Sequence, residues 1–122
     1  MTKPSGTYDL EERTAKFGEA VIGLCRNVKQ DAITKPIISQ LIRSATSIGA
    51  NYMEANGASS RKDFRNKIFI CKKESQETKH WLRMMAHSAP EHKESTEKLW
   101  KEVQELTLIF GKIVASLRKN GN

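Results

Sequence analysis

Residues Arg43 to Phe64 read RSATSIGANYMEANGASSRKDF, a run of small, polar and charged side chains that nevertheless keeps a helical period. Ile38, Ala45 and Tyr52 recur every seven residues, and Leu41, Ile48 and Ala55 form a second row of the same spacing. Two such rows draw one stripe along a helix, a periodicity a strand cannot satisfy. Ala45, Gly49 and Ala55, on or beside the stripe, let another helix approach closely. Gly57 supplies a stop, and Thr34, with Pro36 in the first turn, supplies the start.

The pattern continues on both sides. Ser59 and Ser60 are capping residues for a following helix with Asp63 in its first turn, and its core row is Phe64, Ile68, Cys71, Ser75, Thr78, Leu82 and Met85. Toward the N-terminus, Asp9 followed three residues later by Glu12 resembles a capping box. Leu10, Phe17 and Leu24, with Thr14, Val21 and Val28, then mark a helix stripe. Beyond the loop holding Pro90, a last helix starts near Glu94 or Ser95 and has two clean rows: Leu99, Leu106, Ile113 and Val103, Phe110, Leu117. Acidic residues crowd its first turns and Lys112, Arg118 and Lys119 its end, as the helix dipole favours. The spacing therefore predicts an all-α, antiparallel up-down-up-down four-helix bundle, one domain over residues 1–122, with helices near 10–29, 35–56, 60–86 and 94–118.

The 122 residues suit one core, and 21 Lys and Arg against 14 Asp and Glu give a net charge of +7. Such a balance draws a protein to phosphate-rich polymers or anionic surfaces. Cys25 and Cys71 form no CxxC pair and fall at apolar helical positions, which predicts buried free thiols in a reducing compartment. The segment MTKPSGTYDLEE lacks the apolar centre of a signal peptide, and no apolar run reaches the roughly 20 residues that span a bilayer. A soluble cytoplasmic protein, with no membrane partner, is the expectation.

The third helix sorts its side chains by direction. Arg61, Arg65, Lys72, Lys79 and Arg83 fall within about 40° of one another at about 100° per residue, roughly a quarter-turn from the core row. Between Ser59 and Arg83 stand eight Lys and Arg against three acidic residues, so most of the excess charge belongs to this helix. The row is either a solvated flank or a surface that tracks phosphates, with Lys62 and Arg43 as extensions. Interleaved aromatics are few, which argues against reading of base sequence. Ile70 and Trp81 are predicted to point away from the core, as a subunit contact or as ordinary surface scatter. On the second helix Arg43, Ser47, Asn51 and Glu54 share the outward side, either as a solvated ladder or as an interface.

Catalytic and metal chemistry find little support. His80 and His87 lack a carboxylate or thiolate at ligand spacing, so no metal and no cofactor are expected. Gly49 and Gly57 follow no strand and lack a P-loop lysine. Glu54, Glu74 and Glu77 furnish acid/base groups only if two helices bring them together, and no Glu-x-x-His pair accompanies them. The chain is expected not to be an enzyme, a small Glu-dependent nuclease being the catalytic rival.

The segment IRSATSIGANYMEANGASSRKDFRNKIFICKKESQETKHWL resembles the signature of the four-helix bundle protein family, also called 23S rRNA intervening-sequence proteins, over Tyr8 to Arg118. Arg43, Ala45, Ser47, Ile48, Asn51, Glu54, Ser60, Phe64, Ser75, Glu77, Trp81 and Leu82 fit its pattern. Many relatives carry AEG after the Asn, whereas this chain has MEANG from Met53 to Gly57. The resemblance implies a bacterial antiparallel bundle that assembles as a ring-like homopentamer, carries no catalytic residue, and is related to basic accessory proteins of diversity-generating retroelements that bind nucleic acid and a reverse transcriptase. Together these readings predict a non-enzymatic, homo-oligomeric bundle that binds RNA or DNA through phosphates with Arg43, Arg61, Lys62, Arg65, Lys72, Lys79 and Arg83, and assembles through Ser47, Asn51, Glu54, Ile70 and Trp81. The alternative is a scaffold for a protein partner such as a reverse transcriptase.

Overall fold

Asp9 accepts a hydrogen bond from the Glu12 amide at 3.2 Å and so starts the first of four long helices. The structure is a computed structural model that describes residues 9–119. Within them run α1 (Leu10–Asn27), α2 (Thr34–Asn56), α3 (Arg61–Ser88) and α4 (Lys93–Lys119), with a single 3-10 turn at Pro90–His92 before the last. The leaderless reading of the first eight residues lies outside the described residues.

Cross-helix contacts fix the directions. Thr78 Oγ1 meets Ser44 Oγ at 2.9 Å, and Lys67 Nζ meets Glu54 at 2.8 Å, so α3 descends as α2 rises. Asn56 donates to Glu11 at 3.0 Å between α2 and α1. Lys79 donates to Gln104 at 2.6 Å while Arg61 reaches the Leu117 carbonyl at 3.4 Å, so α4 is antiparallel to α3. Arg13 closes the square, gripping Glu102 through two hydrogen bonds of 2.8 and 2.9 Å and Glu105 through a third of 2.8 Å. The fold is the antiparallel four-helix bundle that the heptads predict.

The core rows are buried as the period requires. Phe17, Val21, Leu41, Ile48, Ile68, Leu82, Val103, Leu106 and Phe110 are almost wholly shielded, and each such side chain contributes roughly 1.5–3 kcal/mol. Between them sit hydroxyls that never lack a partner. Thr14, Ser75, Thr78 and Thr107 each donate to the carbonyl four residues back, at 2.6 to 2.8 Å. These residues therefore occupy core positions at little polar cost, and their small volume brings the helices together. Gly49 is the tightest example: a methyl there would lie 3.3 Å from Thr14 Oγ1 on α1.

The helix starts differ from expectation in one place. Asp31, not Thr34, caps α2, its Oδ1 accepting from the amides of Ile33 and Thr34 at 2.9 Å. Those amide bonds hold the Asp31 carboxyl below its ordinary range, that from Thr34 most of all. Thr34 is itself buried and donates to the Lys29 carbonyl at 2.7 Å. Ser60 behaves as predicted, accepting from the Asp63 amide at 3.0 Å, while Asp63 accepts from the Ser59 amide at 3.4 Å.

Candidate nucleic-acid interface

Helix α3 runs unbroken from Arg61 to Ser88, about 42 Å at 1.5 Å per residue, and its two flanks differ in how their charges are met. The flank toward α2 is neutralised. Arg43 reaches across from α2 to Glu74 at 3.3 Å and to Glu77, while Lys67 pairs with Glu54 at 2.8 Å. Glu54 also holds the Lys67 ammonium above its ordinary pKa. Glu77 accepts a further hydrogen bond from the Trp81 indole at 3.0 Å, and Gln40 accepts from Arg43 at 3.0 Å. Arg43 thus lies on the α2 side of α3, apart from the basic row, with its guanidinium engaged by Glu74 and Glu77.

The flank toward α4 is the opposite. Arg65, Lys72, Lys79 and Arg83 form no ion pair among the described residues. The aliphatic stems lie against α4, with Lys72 Cε 3.9 Å from where a Gly111 side chain would begin. The Lys79 ammonium stands 5.4 Å from the ring centre of Trp100. Arg83 borders a hollow with Trp100 and Glu97. Arg65 borders another with Asn66, Phe69, Val114 and Arg118. Arg61 reaches the end of α4, and Lys62, one position around the helix, is exposed.

Three exposed apolar side chains on or near α4 and this seam were not visible as a group in the sequence. Phe69 is 53% exposed, Trp100 38% and Leu108 57%. Trp100 and Leu108 fall outside both heptad rows of α4, which is the signal that marks them as surface residues. The pairing of α3 with α4 sets Trp100 beside Lys79 and Arg83, and Phe69 beside Arg65 and Arg118.

The residues predicted for an oligomer interface share the α2/α3 flank but are largely engaged within the chain. Ser47 donates to the Arg43 carbonyl at 2.6 Å, Asn51 to the Ser47 carbonyl at 2.8 Å, and Glu54 holds Lys67. Ile70 is half-buried. Trp81 does not point away from the bundle: it is half-buried against the core, its ring edge-on to His80 with centroids 4.9 Å apart. The core extends around α3 toward α2, farther than the Phe64–Met85 row alone indicates.

Glu54, Glu74 and Glu77, the would-be acid/base set, are each held by Lys67 or Arg43. No cluster of three His, Cys, Asp or Glu suited to a metal occurs among the described residues. Burial pushes the Cys25 thiol up to about 11 and the Cys71 thiol up to about 12, so both remain protonated at neutral pH. No helix of the described residues is long and apolar enough to cross a membrane.

The fold and this seam define a class: an all-helical bundle with one neutralised and one cationic flank. The family model for 23S rRNA-intervening sequence protein matches residues 8–112, and the chain belongs to that family. It is also similar to a crystal structure of a protein of unknown function from the S23 ribosomal protein family of Bacteroides thetaiotaomicron VPI-5482. That likeness has 29% identity and a TM-score of 0.76, covering 86% of this chain and 97% of the other. No curated protein matches the chain.

Proposed function

We propose that the protein is a non-enzymatic, homo-oligomeric bundle that binds RNA or DNA through phosphates along the α3/α4 seam. The observation that carries this reading is the row of Arg65, Lys72, Lys79 and Arg83 without ion pairs among the described residues, whereas on the α2 side of the same helix Lys67 and the facing Arg43 are matched by carboxylates. Like charges in a line repel unless an anion neutralises them, and a polyanion does so by releasing its own counterions. A family named for sequences within 23S rRNA fits an RNA ligand. Pentameric assembly, which the family resemblance implies, repeats a +7 protomer around a closed ring and multiplies the cationic field. The cytoplasm is the compartment where both the ligand and two reduced thiols occur.

Charge reversal tests the reading. Arg65→Glu with Lys72→Glu is expected to abolish most binding to generic RNA at low salt while leaving the helical content intact, and unchanged affinity rejects this surface. Native mass spectrometry tests assembly, and a monomer at micromolar concentration rejects it. A protein partner such as a reverse transcriptase is the second reading, favoured by Leu108, an exposed aliphatic residue that offers nothing to phosphate. Co-purification of such a partner after nuclease treatment would support it.

A further inference from the structure

We propose that the α3/α4 edge takes single-stranded nucleic acid in preference to duplex, with bases stacking on Trp100 and Phe69 while Arg65, Lys72 and Lys79 hold the phosphates of one strand. This rests on the phosphate-binding reading above and narrows its ligand. The three cations recur every seven residues, so they stand in one line at intervals of about 10.5 Å. At about 3.4 Å per stacked nucleotide, each interval spans roughly three phosphates of a single strand.

Two aromatic rings border that line, Trp100 at its Lys79 end and Phe69 one turn in from Arg65. Near Lys79, the Trp100 ring is 38% exposed, carries the ammonium 5.4 Å from its centre, and borders a hollow of about 180 Å³ shared with Arg83. Near Arg65, Phe69 is 53% exposed and lines a hollow of about 330 Å³ with Asn66 and Arg118. Each hollow therefore combines an exposed part of an aromatic side chain, a stacking partner for any base, with at least one guanidinium for phosphate. From Phe69 to Lys79, beside Trp100, is ten residues of α3, so the two rings are set about 15 Å apart along the helix, the length of roughly four stacked nucleotides.

A duplex cannot use such rings. Its bases are paired and stacked inward, so only its phosphates and sugars reach a flat helical edge. The cations then serve both forms of nucleic acid, and the rings serve only the single strand. Stacking on any base is tolerant of sequence, so a preference for strandedness is expected without a preference for particular bases.

The experiment measures affinity of the full chain, at low salt, for a fluorescent oligouridylate and for an RNA duplex of equal length. The expected result is tighter binding of the single strand, lost by about tenfold or more in Phe69→Ala/Trp100→Ala, with duplex affinity changed less than about twofold. Phe69→Tyr/Trp100→Phe keeps both rings and is expected to keep the preference. Should the double alanine variant melt early by circular dichroism, Phe69→Ala alone carries the test, because that side chain is mostly outside the fold. Equal or tighter duplex binding by the natural protein, or equal losses on both ligands, overturns the single-strand preference. If Arg65→Glu/Lys72→Glu leaves both affinities unchanged, the phosphate surface itself is wrong.

Discussion

Arg43 of α2 lies in contact with Glu77 of α3, and the same carboxylate oxygen accepts the indole hydrogen of Trp81. One glutamate thus ties two helices and satisfies the indole N–H of an aromatic ring half-buried against the core. It also neutralises the Arg43 guanidinium within the chain.

Arg43→Ala is accordingly expected to act on stability and not on binding. Glu74 and Glu77 lose their partner while only 14% and 34% exposed, although Arg43 itself is 45% exposed and solvent weakens the pair. A loss of about 1 kcal/mol, or roughly 4 °C in Tm, is expected. RNA affinity and its salt dependence should be unchanged, and a fall in affinity at constant Tm would place Arg43 back on the binding surface.

Lys72→Ala is expected to do the converse. Its ammonium has no carboxylate partner among the described residues, so the melting temperature should move little. The slope of log affinity against log salt should shrink by about 0.7 on a single strand, the loss of one phosphate contact. An unaltered slope would remove Lys72 from the contact set.

Two glycines face the α1/α2 contact with different room. At Gly18 a methyl would meet Thr46 Cγ2 at an ordinary 3.6 Å, so Gly18→Ala should stabilise by about 0.5–1 kcal/mol through helix propensity. At Gly49 the first carbon already lies 3.3 Å from Thr14 Oγ1, and Gly49→Leu must push α1 outward, at a cost of about 1–3 kcal/mol. Thermal melts of the two variants should move in opposite directions; a shared direction contradicts the close approach at Gly49.

The buried thiols set a limit at high pH. Both have folded pKa values above the ordinary 9.0, about 11 for Cys25 and about 12 for Cys71, so the fold favours the protonated form. Their stabilising effect is complete below pH 9 and is lost as pH rises toward 11 and 12. Replacing both with Ala should flatten that part of the stability profile. In the natural protein, a disulfide probe at pH 8 should label neither thiol faster than the bundle opens.

Helix periods and caps were legible because they depend on residues a few positions apart. The rows through Leu10, Leu41, Ile68 and Val103 predicted the core, and Asp9 and Ser60 predicted two helix starts. Thr34 misled because its hydroxyl turns back to the Lys29 carbonyl, while Asp31, three residues earlier, accepts from the amides of Ile33 and Thr34. The continuous basic row of α3 was also a matter of local geometry, since about 100° per residue fixes which side chains share an edge.

Which cations remain unneutralised is a different kind of property. Arg43 and Glu77 are 34 residues apart, and Lys79 and Gln104 are 25 apart, so no local period relates them. A helix specifies the direction of its own side chains but not the neighbour that each flank meets. Packing α2 against one side of α3 supplied the carboxylate partner contacts there, and packing α4 against the other supplied Trp100 instead. Amino-acid order therefore set the rods and their faces, whereas the association of the rods sorted equal charges into a structural set and an open one.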